Sequence, residues 1–398
     1  MEYYNIINQA YLDAVGKPDS RIVYKLQPLD HWENAVGEIT ADIDGSTSST
    51  ISVNAQNGVR RGCSLSLINE NDKYTPSRDG YFWYNRKFRI AAGIEGADTY
   101  WHPQGVFICT GSEESGGTVT LKGTDKFGIL SGELNVGKCT KEFSTDIGSG
   151  DIYVAEIIRM TLMRDMGNGM PLDPIQPQID PYFETAKLYA DMTLSVGQYY
   201  GEIIITLANM YGADTYYDPD GRLIFRRKAT YNIPSWYCHQ GYLWRFPEND
   251  PNIFAGAAVS RSLDGINAVT VSTDNANGEI FSYTAKNRNA ESPINVKAIG
   301  ERYPDDPVVY ISVGDTTRET AEEKCRQYAE YLLLQSTSNS VAETFTSPFV
   351  PHFDVDRVIA YKDSDYLIKS LTLDLTAKRM QVRACNVAFL PSNQNISE

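Results

Sequence analysis

Residues 57–76 read NGVRRGCSLSLINENDKYTP, residues 82–111 read FWYNRKFRIAAGIEGADTYWHPQGVFICTG, and residues 117–130 read GTVTLKGTDKFGIL; this stretch decides the fold class. In Cys63-Ser64-Leu65-Ser66-Leu67, apolar side chains alternate with hydroxyls, the period-2 pattern of a strand with one buried face. The cluster Asn69-Glu70-Asn71-Asp72, closed by Pro76, ends that strand because its side chains compete for backbone hydrogen bonds. Phe88, Ile90 and Ala92 alternate next, followed by Val106-Phe107-Ile108 and then by Val119 and Leu121. Closely spaced strands of this rhythm predict an antiparallel barrel or sandwich.

Before this stretch, residues 1 to about 20 read as an irregular or helical arm. A strand is predicted at Arg21–Leu26, broken by Pro28, and a weak one at Glu38–Ile43, with a polar turn over Asp44–Thr50. The first β domain is expected over residues 1–140. The second region, 141–240, reads as α+β. A helix near 151–166 is predicted with Asp151 as N-cap, then a proline-rich crossover through Pro171, Pro174, Pro177 and Pro181. A helix near 198–211 stops at Gly212, and a hairpin follows around Asp218-Pro219-Asp220-Gly221.

A second β domain with inserted strands is expected over 241–390. It holds strands at Ala258–Ser262, Ala268–Ser272 and Val308–Val313, and a capping box at Thr316 and Glu319 opens a helix near 317–335. Strands at Asp354–Tyr361, Tyr366–Leu375 and Arg379–Phe389 close it, and 391–398 is left as a tail. The fold class is mixed: β-rich outer segments around an α+β middle.

Composition narrows the function. With 42% hydrophobic and 22% charged residues, the 398-residue chain has the makings of packed domains, and its 26 tyrosines suit strands and large interfaces. The net charge of −15 argues against a nucleic-acid grip and against docking on an anionic membrane. The six cysteines are widely separated with no C-x-x-C pair, so a reduced cytoplasmic origin is expected. The opening MEYYNIINQAYLD carries no signal peptide, and no window reaches the ~18 apolar residues of a membrane span.

No motif here builds an active site. The four histidines, His31, His102, His239 and His352, have no metal-ligand spacing, and Cys238-His239 are adjacent, a poor geometry for nucleophile and base. Asp218–Gly221 resembles the start of a calcium loop but lacks the third acidic ligand and the closing Glu, so a hairpin turn is favoured. Gly111–Gly117 lacks a phosphate-loop lysine and reads as a turn. The aromatic cluster Tyr81-Phe82-Trp83-Tyr84, with Trp101, reads as core packing or as contact with another subunit, sugar binding being the third possibility. Trp83, Tyr84 and Trp101 are the candidate subunit-contact residues, and neither cofactor nor metal is expected.

The order of the segments RRGCSLSLIN, KYTP, KFRIAAGI, YWHPQGVFICTG and LKGTDKFGIL resembles the N-terminal domain of phage tail proteins of the baseplate-hub or tail-tip type, similar to the T4 hub and to the N-terminal part of tail-associated lysins. YGADTYYDPDGRLIFRR, AEEKCRQYAEYLLLQ and PFVPHFDVDRVIAYKDSDYLIKSLTLDL extend the resemblance over most of the chain. It implies two antiparallel β-barrel-like domains with α+β domains beside them. Three copies would set six barrels in a ring, matching a hexameric tail tube above and a three-fold tip below. The implied protein is a structural homotrimer of the virion, assembled in the host cytoplasm. Its partners would be a tail-tube or distal tail protein and a tip, spike or tape-measure protein. It would initiate the tube and line the path of the DNA. In tail-associated lysins the wall-cleaving domain follows the hub domains; this sequence ends within ten residues of its last predicted strand, so none is expected. A cell-wall hydrolase and a host-receptor or glycan-binding tail component are the alternatives.

Overall fold

The computed structural model describes residues 1–17, 20–75, 80–82, 86–96, 98–145, 151–188, 191–227, 244–245, 265–274, 278–312, 317–361 and 364–391. The first third supplies strands β1 (Glu2–Tyr4), β2 (Arg21–Leu29), β3 (Thr50–Asn54), β4 (Arg61–Ile68), β5 (Lys87–Glu95), β6 (Thr99–Ser115) and β7 (Thr118–Asp125), with helix α1 (Gln9–Val15) between the first two. The middle supplies α2 (Phe127–Ser131), β8 (Phe143–Ser144), α3 (Val154–Leu162), β9 (Gln178–Ile179), α4 (Pro181–Thr185), β10 (Thr193–Leu194), α5 (Gly201–Tyr211), β11 (Ala213–Tyr217) and β12 (Leu223–Arg227). The last part contains β13 (Trp244–Arg245), β14 (Ala268–Asp274), β15 (Ile280–Lys286), α6 (Val296–Ile299), β16 (Val308–Ser312), α7 (Arg318–Ser340), β17 (Ala342–Pro348), β18 (Val358–Tyr361), β19 (Ser364–Asp374) and β20 (Arg379–Asn386). The fold is therefore β-rich α+β, dominated by one large, mostly antiparallel sheet.

That sheet runs β13-β18-β19-β3-β4-β7-β6-β5-β2, with β1 on β6 and with β20 joining β19 to β17. The ladder between β3 and β19 pairs Asn54 with Ser370 and Thr50 with Asp374, so strands from both ends of the chain share it. One apolar core lies against it, from Tyr11, Leu26, Leu65 and Phe107 to Phe345, Phe349 and Leu371. The sheet curls strongly: Tyr24 of β2 meets Phe349, just past β17, edge-on at 5.7 Å. No ladder closes this curl among the described residues, so what is observed is a large antiparallel sheet and not a closed barrel.

A second core fills the middle region, where Ile158, Leu162, Ile204, Leu207 and Phe225 pack together. α5 seats closely on α2: a Cβ at Gly201 would stand 2.1 Å from the Leu130 carbonyl oxygen, so only glycine allows the approach. The remaining unit lays α7 across one face of β15-β14-β16, burying Val269, Val271, Cys325, Ala329 and Leu333 between them.

Several elements agree with the sequence reading. β4 buries Cys63, Leu65 and Leu67, α5 ends at Gly212 in the left-handed conformation (φ 56°), and the Asp-Gly hairpin joins β11 to β12. Others differ, each for a physical reason. β2 continues through Pro28 to Leu29 because it is an edge strand: Pro28 faces Phe88 of β5, and its carbonyl accepts the Val36 N–H at 2.9 Å on the open side. The segment Glu38–Ile43 is not a strand. It folds over that open edge, with Ile39 N–H donating to Leu26 O and Leu26 N–H donating to Thr40 Oγ1, and includes a 3-10 turn at Thr40–Asp42.

Asp151 does not cap α3. The helix begins at Val154, whose N–H is taken by Ala186 O at 3.0 Å, and Asp151 pairs with Lys187 instead. Gly111–Ser115 extends β6, and only Gly116 and Gly117, at φ 60° and 83°, make the turn. The long helix α7 is capped by Thr317, whose hydroxyl accepts from Thr320 N–H, one residue later than the predicted box. β18 starts at Val358, since Asp354 and Asp356 are held in a turn by arginines described below. The predicted strand Ala258–Ser262 lies outside the described residues, as do Thr316 and most of the tail.

Candidate functional site

Two buried groups of charges join the separate regions of the chain. The first begins at Lys126, at the end of β7, where the chain turns into α2. Its ammonium, 1% exposed, donates to Asp173 Oδ1 at 2.8 Å and to Gly221 O at 2.7 Å, and also pairs with Glu33. Lys87 at the start of β5 completes the group, donating to Glu33 Oε1 at 2.9 Å and His31 O at 3.2 Å. Tyr217 of β11 donates to Asp173 Oδ2 at 2.7 Å. Two ammonium groups and two carboxylates thus cancel in a buried site shared by the large sheet and the middle region. Burial, with Lys126 alongside, holds the Lys87 ammonium below its usual range.

The second group ties the β17–β18 turn to the root of β4. Arg61 Nη2 donates to both carboxylate oxygens of Asp354 at 2.6 and 2.7 Å, and Arg60 donates to Asp356 Oδ2 at 3.0 Å while stacking on Tyr216 at 3.4 Å. Burial alone would raise the Asp356 carboxyl, but Arg60, Lys369 and Arg226 hold it below the usual range. The backbone of the two arginines is fixed by Asp125, whose Oδ2 accepts both N–H groups at 2.7 and 2.9 Å while Oδ1 accepts Phe127 N–H at 3.0 Å. Burial still raises Asp125 to about 6.

Beside this group lies a cleft of about 570 Å³, lined in part by Asn5, His102, Asp218, Arg226, His352 and Asp356. Burial lowers His102 to about 4; burial, with His102 and Arg357 nearby, lowers His352 to about 3. Both imidazoles are neutral at pH 7, and His352 Nδ1 shares a hydrogen bond with Tyr11 Oη at 2.9 Å. Asp218 is raised to about 6 by burial, while its turn is held by Gly221 N–H and Arg222 N–H. Three of the cleft's arginines are paired with its aspartates, Arg60 and Arg226 with Asp356 and Arg227 with Asp180, an arrangement suited to holding strands and turns together.

Burial pushes the Cys325 thiol to about 11 and Cys385 to about 12, so neither forms a thiolate at neutral pH. Among the described residues no group of three His, Cys, Asp or Glu side chains could hold a metal, and no helix is long and apolar enough to cross a membrane. Cys238 and His239 lie outside the described residues.

Trp83 and Tyr84 also lie outside the described residues. Trp101 lies in β6 at 6% exposure, with the Lys25 ammonium 4.4 Å from its ring and its register partner Tyr4 on β1. As the chain stands, it offers a neighbouring subunit almost no surface. The charged groups that organise the molecule escaped the sequence reading because their partners are far apart: 293 residues separate Arg61 from Asp354. Locally each lysine is only followed by a phenylalanine, Lys87-Phe88 and Lys126-Phe127, and its charged neighbours Arg86, Arg89 and Asp125 hide the burial.

No protein-family model matches the chain, and no curated protein matches it. Solved structures do. The tail protein from Neisseria meningitidis MC58 aligns with a TM-score of 0.54 at 9% identity, over 92% of this chain and 98% of that one. This chain shares the fold of that protein. The 43 kDa tail protein of prophage MuSo2 from Shewanella oneidensis aligns with a TM-score of 0.51 at 12% identity, over 94% and 99%. A chain of the half-lidded Francisella PdpA–VgrG complex also aligns, with a TM-score of 0.52 at 8% identity, over 97% of this chain and 61% of that one.

Proposed function

We propose that this chain is a structural component of a phage tail or tail-like particle, acting as a hub or tip protein that joins the tail tube to the distal end. One observation carries the reading: the likeness to two tail proteins spans more than nine-tenths of this chain and nearly all of each of theirs. The two buried charge groups support it, since they tie the large sheet to the middle region and to the β17–β18 turn and leave their charges engaged with each other. The chain does its work by shape and contact rather than by turnover.

In this reading three copies form the hub. The curled sheet supplies barrel-like walls, and the complex meets a tube or distal tail protein on one side and a tip, spike or tape-measure protein on the other. The hub initiates the tube and surrounds the path of the DNA, whose phosphates the acidic chain repels. It resides in the virion after assembly in the host cytoplasm. Trp83 and Tyr84 face a neighbouring copy, and Trp101, covered by Lys25, joins the contact only if that cover moves. The test is a solution mass by light scattering, followed by imaging of particles labelled on this protein. A trimer located at the tail end is the expected result. A monomer that clears a peptidoglycan suspension, or label along a fibre tip, refutes the reading.

A further inference from the structure

The three-stranded sheet β15-β14-β16 ends on one side at β16, Val308-Val309-Tyr310-Ile311-Ser312. β16 pairs in parallel with β14 without a bulge, from Thr270 with Val308 to Asp274 with Ser312. Among the described residues, no backbone hydrogen bond joins Val308–Ser312 to any segment other than β14. The outward-facing N–H and C=O groups of this strand therefore form a bare border. Proteins usually blunt such a border with a charge, a proline, a bulge or a covering loop. This chain does so elsewhere. β2 contains Pro28, and the Val36 and Ile39 N–H groups cap its outer carbonyls; β17 carries Glu343 and ends at Pro348. β16 has no such device within its length, and its first four residues are all strand formers. The register fixes which way its side chains face. Val269 and Val271 pack on α7, with Val309 at the margin of that core. Tyr310, partner of Ser272, is on the opposite face and is 77% exposed.

The surroundings of this border are acidic. Asp305 and Asp306, both exposed, stand immediately before it between Pro304 and Pro307, and Asp274 lies beside Ser312 at its other end. None of the three makes an ion pair among the described residues, whereas nearby Glu301 holds Lys286 at 2.6 Å. We propose that β16 is a docking edge for an extended segment of a different protein, which joins the sheet as a fourth strand and carries lysine or arginine on either side of an uncharged stretch. A row of backbone groups without partners calls for a chain in strand conformation, and carboxylates at both ends of that row call for positive charge. A second copy of this chain, at −15, does not meet the second requirement. At a rise of about 3.3 Å per residue, the distance from Asp306 to Ser312 is about 20 Å, so cationic side chains about six residues apart reach both acidic ends. The inference goes beyond the tail reading and does not depend on it.

The probe is the peptide Lys-Lys-Thr-Val-Thr-Val-Thr-Lys-Lys, acetylated and amidated at its ends, titrated calorimetrically into the full chain. Saturable one-to-one binding is expected. The same peptide with glutamate in place of every lysine should bind at least about tenfold more weakly. Two further peptides carry backbone N-methyl groups on one or the other set of alternate residues. Only one set turns its N–H groups towards a neighbouring strand, so one of these peptides should lose binding and the other should keep affinity within about twofold of the parent. The double variant Asp305→Asn with Asp306→Asn should weaken the parent peptide by about three- to fivefold at an unchanged Tm. The proposal is overturned if the lysine peptide does not bind, or if the glutamate peptide binds as well. It is equally overturned if both methylated peptides match the parent, or if the double variant binds like wild type.

Discussion

Lys126→Met tests whether the buried group of four charges holds the middle region to the large sheet. The side chain is nearly isosteric and apolar, so the change removes a charge and its hydrogen bonds but little volume. Three things are lost: the bond to Asp173 at 2.8 Å, the pairing with Glu33, and the donor to Gly221 O at 2.7 Å. Glu33 keeps Lys87, and Asp173 keeps Tyr217 Oη and the Ile175 N–H, so the carboxylates retain partners while the group goes from neutral to a net −1. Breaking a buried pair on one side costs about 3–5 kcal/mol. With an unfolding entropy of about 2.1 cal/mol/K per residue, 398 residues give about 0.8 kcal/mol/K, and a loss of about 4 kcal/mol lowers Tm by about 5 °C if the chain unfolds as one unit. Scanning calorimetry reads this directly. Lys126→Met combined with Asp173→Asn should recover most of the loss, because the charge count returns to zero. A single variant within about 1 °C of wild type, or a double variant that falls by the sum of the two single ones, refutes the reasoning.

Three further outcomes are expected. His102 at about 4 lies below its unfolded value of about 6.5, so its contribution is complete above pH 6.5 and is lost as pH falls towards 4; at pH 5 this amounts to about 2 kcal/mol. Asp125 and Asp218, raised to about 6, oppose it between about pH 4 and 6, so the comparison is between wild type and His102→Gln in urea at pH 7 and pH 5. Equal pH sensitivity of the two proteins rejects the assignment. Gly201→Ala places a methyl 2.1 Å from Leu130 O and should destabilise by at least about 1–3 kcal/mol, seen as an earlier urea midpoint; a neutral result means α5 slides off α2 at little cost. Trp83→Ala should impair self-assembly as judged by sedimentation, and normal assembly counts against a subunit contact there.

What the sequence made legible was whatever depends on neighbours in the chain. β4 alternates because one face is core and the other is not, and α5 shows its apolar stripe and terminal glycine in twelve consecutive residues. β5 was legible as a strand but not in its burial, since Phe88, Ile90, Ala91 and Ala92 are all covered and the alternation fades. Pro28 misled because its effect depends on which edge of β2 is open, and Glu38–Ile43 misled because its pattern fits a strand that β2 uses instead as a cap. The buried lysines and the arginine–aspartate grips were invisible for the same reason. Their meaning is a partner elsewhere, and a single chain records no pairing. The tail resemblance came from the order of many weak segments, and the likeness of the whole fold to tail proteins agrees with it at that coarse level.

The pairing of β3 with β19 has a consequence for synthesis. Ser370 is translated 316 residues after its partner Asn54. At about 5–20 residues per second, the finished face of β3 waits roughly 16–60 s for the strand that covers it. During that interval each ribosome carries a half-built sheet with an adhesive border, beside sister chains in the same condition. Crowded polysomes therefore set a hazard of premature cross-pairing, and a nonsense mutation between the end of β4 and codon 364 would make that border permanent.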